Sequence, residues 1–543
     1  MVRSAMELTM EDRKQRRPYS SANFQSGYYK EQSINYSEIN TDFLLTYKKS
    51  IGRNFQLQTS AGANAMVRRF NNLESRVIGL VIPGVYMLAN GSGVPETNVT
   101  DRNKNVNSVY GLASLGYKNK VFVDVTGRND WSSTLPQQNN SFFYPSVSNS
   151  IVVSELVQLP KAISFAKTRL SFAKVGNDTD PYQDRKYYGN SHFPGSASVP
   201  TLLHNINFKP EISSSFEAGV YLRFLQNRIA LDATWYHNIT KNQILQAPID
   251  PTSGYSQAIL NGGKIRNRGL ELIVTAKPII SKTFKWTTII TWAKNENKVL
   301  ELTKGMDDKQ DIGYGGNATI QARVGGTTGD IYGFGFVRSP EGQIVYNANG
   351  LPARPAAIQY IGSAYADWKG GIKNELAYKN IRFSFLLDGQ YGGIVYSQTH
   401  HKMSEQGKLK HTLRGREENF IVGDGVVMGT DAKYTVNTRQ VIPADYYADY
   451  YRRANVESNS FDASFLKLRE ARLEYSLPQS LISRSVFKQV TFALYGRDLF
   501  MITDFPMFDP EAAALNGNTI LPGVEIGQMP SQRTFGANLT LKF

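Results

Sequence analysis

No cysteine occurs anywhere in the 543 residues, which excludes a disulfide scaffold, thiolate zinc sites, iron–sulfur clusters and a cysteine nucleophile together. Long apolar runs are missing as well. The greasiest stretch, Val77 to Ala89, is broken by Gly79, Pro83 and Gly84. With a mean hydropathy of −0.36, nothing approaches the roughly 20 apolar residues of a membrane-spanning helix. Residues Met1 to Arg17 (MVRSAMELTMEDRKQRR) contain no apolar h-region and no small-residue cleavage site, so they do not read as a secretory signal. Charge is scarce, at 20% of residues, and unbalanced, with 61 Lys and Arg against 46 Asp and Glu for a net of +15. The basic residues are scattered rather than clustered, which favours a solvated or lumenal face and argues against nucleic acid as a partner.

What is abundant points to β-structure: 45 Gly, 30 Tyr and 28 Phe. Period two dominates the chain. Ile229, Leu231, Ala233 and Trp235 alternate with Asp232, Thr234 and Tyr236, and the pattern returns around Leu270–Lys277, Phe284–Trp292, Phe383–Asp388 and Val490–Arg497, as in strands with one apolar and one polar face. Between Leu468 and Ala471 the apolar parity switches, which predicts a bulge. About 16 such segments are expected, many of about ten residues or more, enough for a tilted strand to cross a bilayer. Short turns (Ser50–Arg53, Lys118–Lys120, Gln226–Asn227, Lys379–Asn380) alternate with long stretches read as loops, at 67–105, 176–210, 241–263, 393–461 and 501–532. That asymmetry is the pattern of an outer-membrane barrel, with short periplasmic turns and long extracellular loops. A soluble sandwich predicts shorter strands and gives no reason for lopsided connections. The final strand alternates Phe535, Ala537, Leu539, Leu541 and Phe543 with polar residues, a terminal aromatic strand suited to barrel insertion.

Signals for chemistry are sparse. The six histidines (His192, His204, His237, His400, His401 and His411) form no H-E-x-x-H helix; His400, His401 and His411 are read as solvated residues of a long polar loop. Asp178-Thr179-Asp180 and Asp307-Asp308 to Asp311 lack the ligand pattern of a calcium loop. No nucleophile elbow, Walker loop or dinucleotide fingerprint is present, so no catalytic, cofactor-binding or metal-binding residue is assigned and the expectation is a non-enzyme. Loop tyrosines such as Tyr255, Tyr447 and Tyr451 combine stacking area with hydrogen-bonding tips and are the candidates for contact with a sugar or peptide.

Gly127 to Leu156 (GRNDWSSTLPQQNNSFFYPSVSNSIVVSEL) resembles the signature of the SusC/RagA-type TonB-dependent outer-membrane transporters of Bacteroidetes. Ile82–Asn90, Lys167–Asn177, Gly362–Lys379, Asp462–Pro478 and Gly523–Phe543 are similar to further family segments, in the family's order. Asp130, Trp131, Tyr144, Pro145, Glu155 and Phe543 fall on the matching positions and are read as barrel architecture. The resemblance implies a 22-stranded barrel closed by an N-terminal plug, uptake of oligosaccharides or peptides, a SusD-like surface lipoprotein as lid, and a TonB complex supplying the energy. Neither plug, TonB box nor signal peptide is recognised in the sequence. The expectation is therefore the C-terminal barrel part of such a transporter, residues 1–543 as one unit in the outer membrane and its lipid, truncated and inactive by itself. A self-contained passive porin of 16 strands and a soluble β-rich glycan-binding domain are the alternatives.

Overall fold

The computed structural model describes residues 1–190, 195–303, 309–516 and 519–543. Sixteen strands of nine or more residues carry the architecture among them. They are β1 Val2–Ser21, β2 Phe24–Ile51, β3 Phe55–Ile78, β4 Glu96–Tyr117, β5 Val121–Ser132, β6 Ser141–Val152, β7 Ile163–Asn177, β8 Glu211–Phe224, β9 Ile229–Pro248, β10 Gln257–Ile280, β11 Phe284–Glu301, β12 Trp368–Tyr378, β13 Ile381–Tyr391, β14 Phe465–Ser476, β15 Gln489–Thr503 and β16 Thr534–Lys542. The chain divides into two units. Unit 1 comprises 1–151, 170–216 and 240–262; unit 2 comprises 152–169, 217–239 and 263–543. Strands β7 to β10 contribute their long-loop halves to the first and their short-turn halves to the second.

In unit 1, β1 to β6 form an antiparallel ladder in chain order, and β2 pairs with β3 without interruption from Tyr28↔Ile78 to Ile51↔Phe55. In unit 2, β10 to β16 continue the same rule, each antiparallel to its chain neighbour. The tight turns fall where Gly, Asn and Lys permit left-handed backbone, at Gly52 (φ 61°), Lys118 (φ 50°), Asn119 (φ 57°), Gln226 (φ 56°), Asn227 (φ 65°) and Lys379 (φ 50°). Two connections on that same side, 153–162 and 477–488, are longer. The predicted bulge is present: opposite β13 and β15 the register of β14 slips on either side of Arg469.

Two expected loops are corrected. The stretch 67–105 is mostly strand, with only 79–95 outside β3 and β4, and the stretch 241–263 shrinks to 249–256 between β9 and β10. These segments look like loops because both parities are polar, yet cross-strand pairs supply the reason to stay paired: Lys30–Glu74 at 3.1 Å, Arg68–Glu38 at 2.8 Å and Arg76–Glu96 at 2.7 Å. The sequence also conceals a long connection at 302–367, which holds a four-stranded sheet of Lys309–Gly315, Ala318–Arg323, Asp330–Gly333 and Gln359–Ser363.

Burial is inverted relative to a water-soluble sandwich. On β2, Phe43 is 50% and Leu45 63% exposed, while Asp42, next to Phe43 on the opposite parity, is 9% exposed. The same outward parity exposes Val109 and Phe143 on β4 and β6, and on β1 Val2, Met6, Leu8 and Met10. Dry apolar cores lie instead among the loops. In unit 2, Ile320, Ile331, Tyr396, Val456 and Val524 form the largest, and Tyr346, Ile421, Tyr446 and Tyr447 another. The loop 392–464 carries two helices, α1 Gln398–Glu405 and α2 Pro443–Tyr450.

Candidate functional site

The ladder register of unit 1 fixes which side chains share the polar face. Asp42 pairs with Asn64, Asn64 with Ser108 and Ser108 with Asp130; one step along, Leu44, Gly62, Tyr110, Arg128 and Tyr144 form the next row. Side-chain bonds stitch these rows together. Arg128 Nε donates to Asp130 Oδ1 at 2.7 Å and its Nη2 to Ser108 Oγ at 2.7 Å. Tyr144 donates to Asp130 Oδ2 at 2.6 Å, and Tyr110 to Asp42 Oδ1 at 2.8 Å. Arg3 closes on the other Asp42 oxygen at 3.3 Å. Tyr110 spans a whole strand to reach β2 because Gly62 lies beneath its ring, where a Cβ would collide. Deeper toward the long loops, Ser132 donates to Asp178 Oδ2 at 2.5 Å and Lys104 pairs with the same carboxylate.

The result is a charged, mutually satisfied surface on which Asp130 is only 8% exposed. Such a surface tolerates water and polar cargo but offers no free nucleophile, because each carboxylate is already committed to a cation or a hydroxyl. A concavity of about 570 Å³ opens on it, lined by Thr46, Ser60, Tyr110, Arg128, Tyr144 and Ser146 among others.

The resemblance-based residues separate by face. Asp130 points to the polar side and Trp131, one residue on, is exposed on the apolar side. Tyr144 joins the network, Pro145 stands in β6 opposite Gly127, and Glu155 sits in a single 3₁₀ turn after β6. Phe543 is exposed and its ring lies 5.1 Å from that of Phe487. Sequence reasoning missed Arg3, Asp42, Lys104 and Asp178 as members of one surface. Parity within each strand is readable, but which strand faces which is set by register.

The three candidate tyrosines do not come together. Tyr255 is half-buried and accepts a hydrogen bond from Lys186 Nζ at 2.9 Å, with that ammonium 5.3 Å from the exposed ring of Tyr188. Tyr447 is buried in the loop core of unit 2, donating to the carbonyls of His411 and Arg414 at 2.8 and 3.1 Å. Tyr451 stacks on Tyr447 at 6.4 Å and packs against His400 and His411. The expectation of solvated histidines is overturned for two of the three: α1 buries His400 and His401 at 3% and 2% exposure, while His411 is exposed. The cause is local, since Ser397 caps the helix by accepting from the His400 N–H, and buried Glu525 accepts from Ser397 Oγ and Thr399 Oγ1, each at 2.5 Å. Burial pushes the His400 imidazole down to about 4 against the pull of its bond to Asn459. Burial likewise pushes Tyr446 and Tyr450 above the usual phenol range.

Asp178 is occupied by Lys104 and Ser132, and Asp311 accepts from Tyr314 and Gln321 at 2.5 and 2.7 Å; His192, Asp307 and Asp308 lie outside the described residues. Among the described residues no group of three or more His, Asp and Glu is placed to hold a metal. In unit 2 the bulge at Arg469 builds a second charged knot. Lys467, 3% exposed, donates to both Asp509 oxygens at 2.7 and 2.9 Å, and Arg469 reaches Asp388 at 2.7 Å and Glu511 at 2.6 Å. Burial opposes ionisation of Asp509, but the Lys467 ammonium and the Glu511 N–H outweigh it and hold the carboxyl below its usual range.

The family model described as "TonB dependent receptor-like, beta-barrel" matches residues 7–349. The chain belongs to this family. Among curated members, TonB-dependent receptor P3 of Formosa agariphila is 25% identical over 547 residues, covering 92% of this chain and 52% of that protein. TonB-dependent receptor SusC of Bacteroides thetaiotaomicron is 25% identical over 471 residues, covering 80% and 43%. The solved structure of the RagAB peptide transporter shares the fold, with a TM-score of 0.78 at 18% identity, covering all of this chain and 59% of that one. This TonB-dependent receptor barrel therefore spans about half the length of the curated relatives it matches. Its exposed apolar parity and satisfied polar parity are the two faces such a barrel requires.

Proposed function

We propose that this chain is the barrel part of an outer-membrane importer of oligosaccharides or peptides, energised by TonB and covered by a SusD-like lipoprotein. The observation that carries the reading is the division of faces in β1 to β6: apolar side chains exposed on one parity, an ion-paired network on the other. An exposed apolar band is costly in water and favourable in lipid, whereas the polar face suits a hydrated lumen. The oligosaccharide substrate and the lid rest on the SusC/RagA resemblance of the sequence, and the peptide substrate also on the likeness to the RagAB peptide transporter. Tyr255 with Tyr188 and Lys186 offers the accessible aromatic patch for a sugar or peptide, while Tyr447 and Tyr451 serve by holding the loop core that shapes the mouth. The enzyme reading has no support, since the family is one of receptors and transporters.

The test is uptake. Cells carrying the intact gene and a deletion strain are given labelled oligosaccharides or labelled peptides, with and without a protonophore. Accumulation that disappears both in the deletion strain and on collapse of the proton-motive force is expected. Accumulation indifferent to the protonophore would instead mark a passive pore, and equal uptake by the deletion strain would remove the transport reading.

A further inference from the structure

The short-turn edge of unit 2 is rich in basic residues. Backbone hydrogen bonds align its turns in a row: Leu225 N–H to Ala162 at 2.9 Å, Lys277 to Arg228 at 2.7 Å, Lys379 to Thr283 at 2.9 Å, Ser476 to Asn380 at 2.9 Å and Lys488 to Lys542 at 2.7 Å. Strand spacing of about 4.8 Å then sets how closely the turn side chains follow one another. Along this row, segments 225–228, 277–285, 377–382, 476–489 and 540–543 hold nine Lys and Arg and no Asp or Glu, and the connection 153–162 on the same side adds Lys161 and one acidic residue, Glu155. By contrast, the long loop 392–464 holds nine of each sign. Arg228, Lys277, Lys282, Lys379, Lys488 and Lys542 are all exposed, and among the described residues no carboxylate pairs with any of them.

A second feature lies beside the charge. Ile279, Ile280, Tyr378, Ile381, Leu481 and Val486 are exposed on the same edge. Cations directly beside exposed apolar and aromatic side chains match the boundary between acyl chains and headgroups, where the hydrocarbon part inserts and the ammonium groups meet phosphate. An isolated acidic protein would satisfy the charge but leave the apolar residues unexplained. We propose that this edge docks the anionic headgroups of glycerophospholipids in the leaflet at the short-turn side, an inference that rests on the membrane-barrel reading above. The leaflet would then fix the depth and tilt of the barrel through the row of ammonium groups, each contributing about fivefold in affinity for an anionic surface.

The test compares the chain folded in detergent with two variants by native mass spectrometry, using phosphatidylglycerol and phosphatidylcholine of matched acyl chains as probes. One variant carries Lys277→Gln, Lys282→Gln, Lys379→Gln and Lys488→Gln; the control carries Lys402→Gln, Lys408→Gln, Lys410→Gln and Lys433→Gln in the long loop. Phosphatidylglycerol is expected to bind at least about tenfold more tightly than phosphatidylcholine, and the preference is expected to vanish in the first variant and persist in the second. Should the first variant not fold, about 0.5 M salt must abolish the preference in the unaltered chain. Equal retention of the two lipids, or equal loss in both variants, overturns the proposal. Tight binding of poly-glutamate without lipid preference would assign the edge to an acidic polypeptide and overturn it as well. A chain that shows no heat-modifiable β-structure and stays soluble without detergent would sink the barrel reading itself, a result separable from the others.

Discussion

Asp130 shows how one residue ties the polar face together. Its two oxygens accept from Arg128 and Tyr144, and Arg128 passes the connection on to Ser108. Removing the carboxylate leaves a guanidinium and a phenol without their partner on a face where both have lost much of their water. Asp130→Ala is therefore expected to destabilise the folded barrel by about 2–4 kcal/mol, and Tyr144→Phe, which deletes one bond and strands no charge, by about 1 kcal/mol. Urea unfolding in lipid vesicles, followed by tryptophan fluorescence, checks both. Equal midpoints for Asp130→Ala and the unaltered chain would mean that the network contributes nothing. The position of Asp130 was legible as a matched motif and by parity, since Trp131 takes the opposite face. Its partners were not all legible: Ser108 comes from a strand whose register no sequence pattern declares.

At the scale of elements, the period-two signal worked where one parity is apolar and failed where both are polar. The bulge at Arg469 was visible as a parity switch, and the tight turns as clusters of Gly, Asn and Lys. The upper halves of β3 and β4 were hidden because ion pairs, not apolar side chains, hold them. Strand β1 could have been found from Val2, Met6, Leu8 and Met10 alternating with Arg3, Glu7 and Glu11. The buried helix α1 could not, because its hydrophilic sequence becomes core only when Glu525, more than a hundred residues away, accepts from Ser397 and Thr399 at its start.

That helix carries a pH dependence. Burial holds His400 neutral in the folded loop down to about pH 4, whereas the unfolded chain protonates it near the ordinary histidine value of about 6.5. Between those values the unfolded state binds more protons, so loop stability is full above 6.5 and falls as pH drops through the window, by up to about 3 kcal/mol. His411, Tyr451, Phe461 and Asn459 face His400, and none of them is a carboxylate that could offset the penalty. Hydrogen exchange of residues 398–413, corrected for intrinsic rates, should show protection falling progressively between about pH 6.5 and pH 4. In His400→Gln the dependence should weaken, the remainder coming from His401 and His411, whose imidazoles desolvation also pushes down; an unchanged slope would assign the whole of it to other groups.

For the whole molecule the decisive property is which side of the wall meets lipid. A water-soluble β-protein hides its apolar parity and exposes its polar one; here Phe43, Leu45, Val109 and Phe143 are exposed while Asp42 and Asp130 are not. Adjacent positions on β2 convert that contrast into an experiment. Leu45 projects from the apolar face, and Thr46 from the polar face, where its hydroxyl lies 3.0 Å from that of Ser60. In a bilayer, Leu45→Arg places a cation against hydrocarbon and should cost about 2–4 kcal/mol near the midplane, whereas Thr46→Arg enters a hydrated lumen and should cost less than about 1 kcal/mol. In a soluble fold the order would reverse or disappear, because an arginine at an exposed position is nearly free. Vesicle refolding yields and urea midpoints of the two variants, compared in phosphatidylcholine bilayers of two thicknesses, separate these cases. A lipid-facing Leu45 also requires the Leu45→Arg penalty to shrink in the thinner bilayer, where the substituted position lies nearer the headgroups, while Thr46→Arg stays insensitive to thickness.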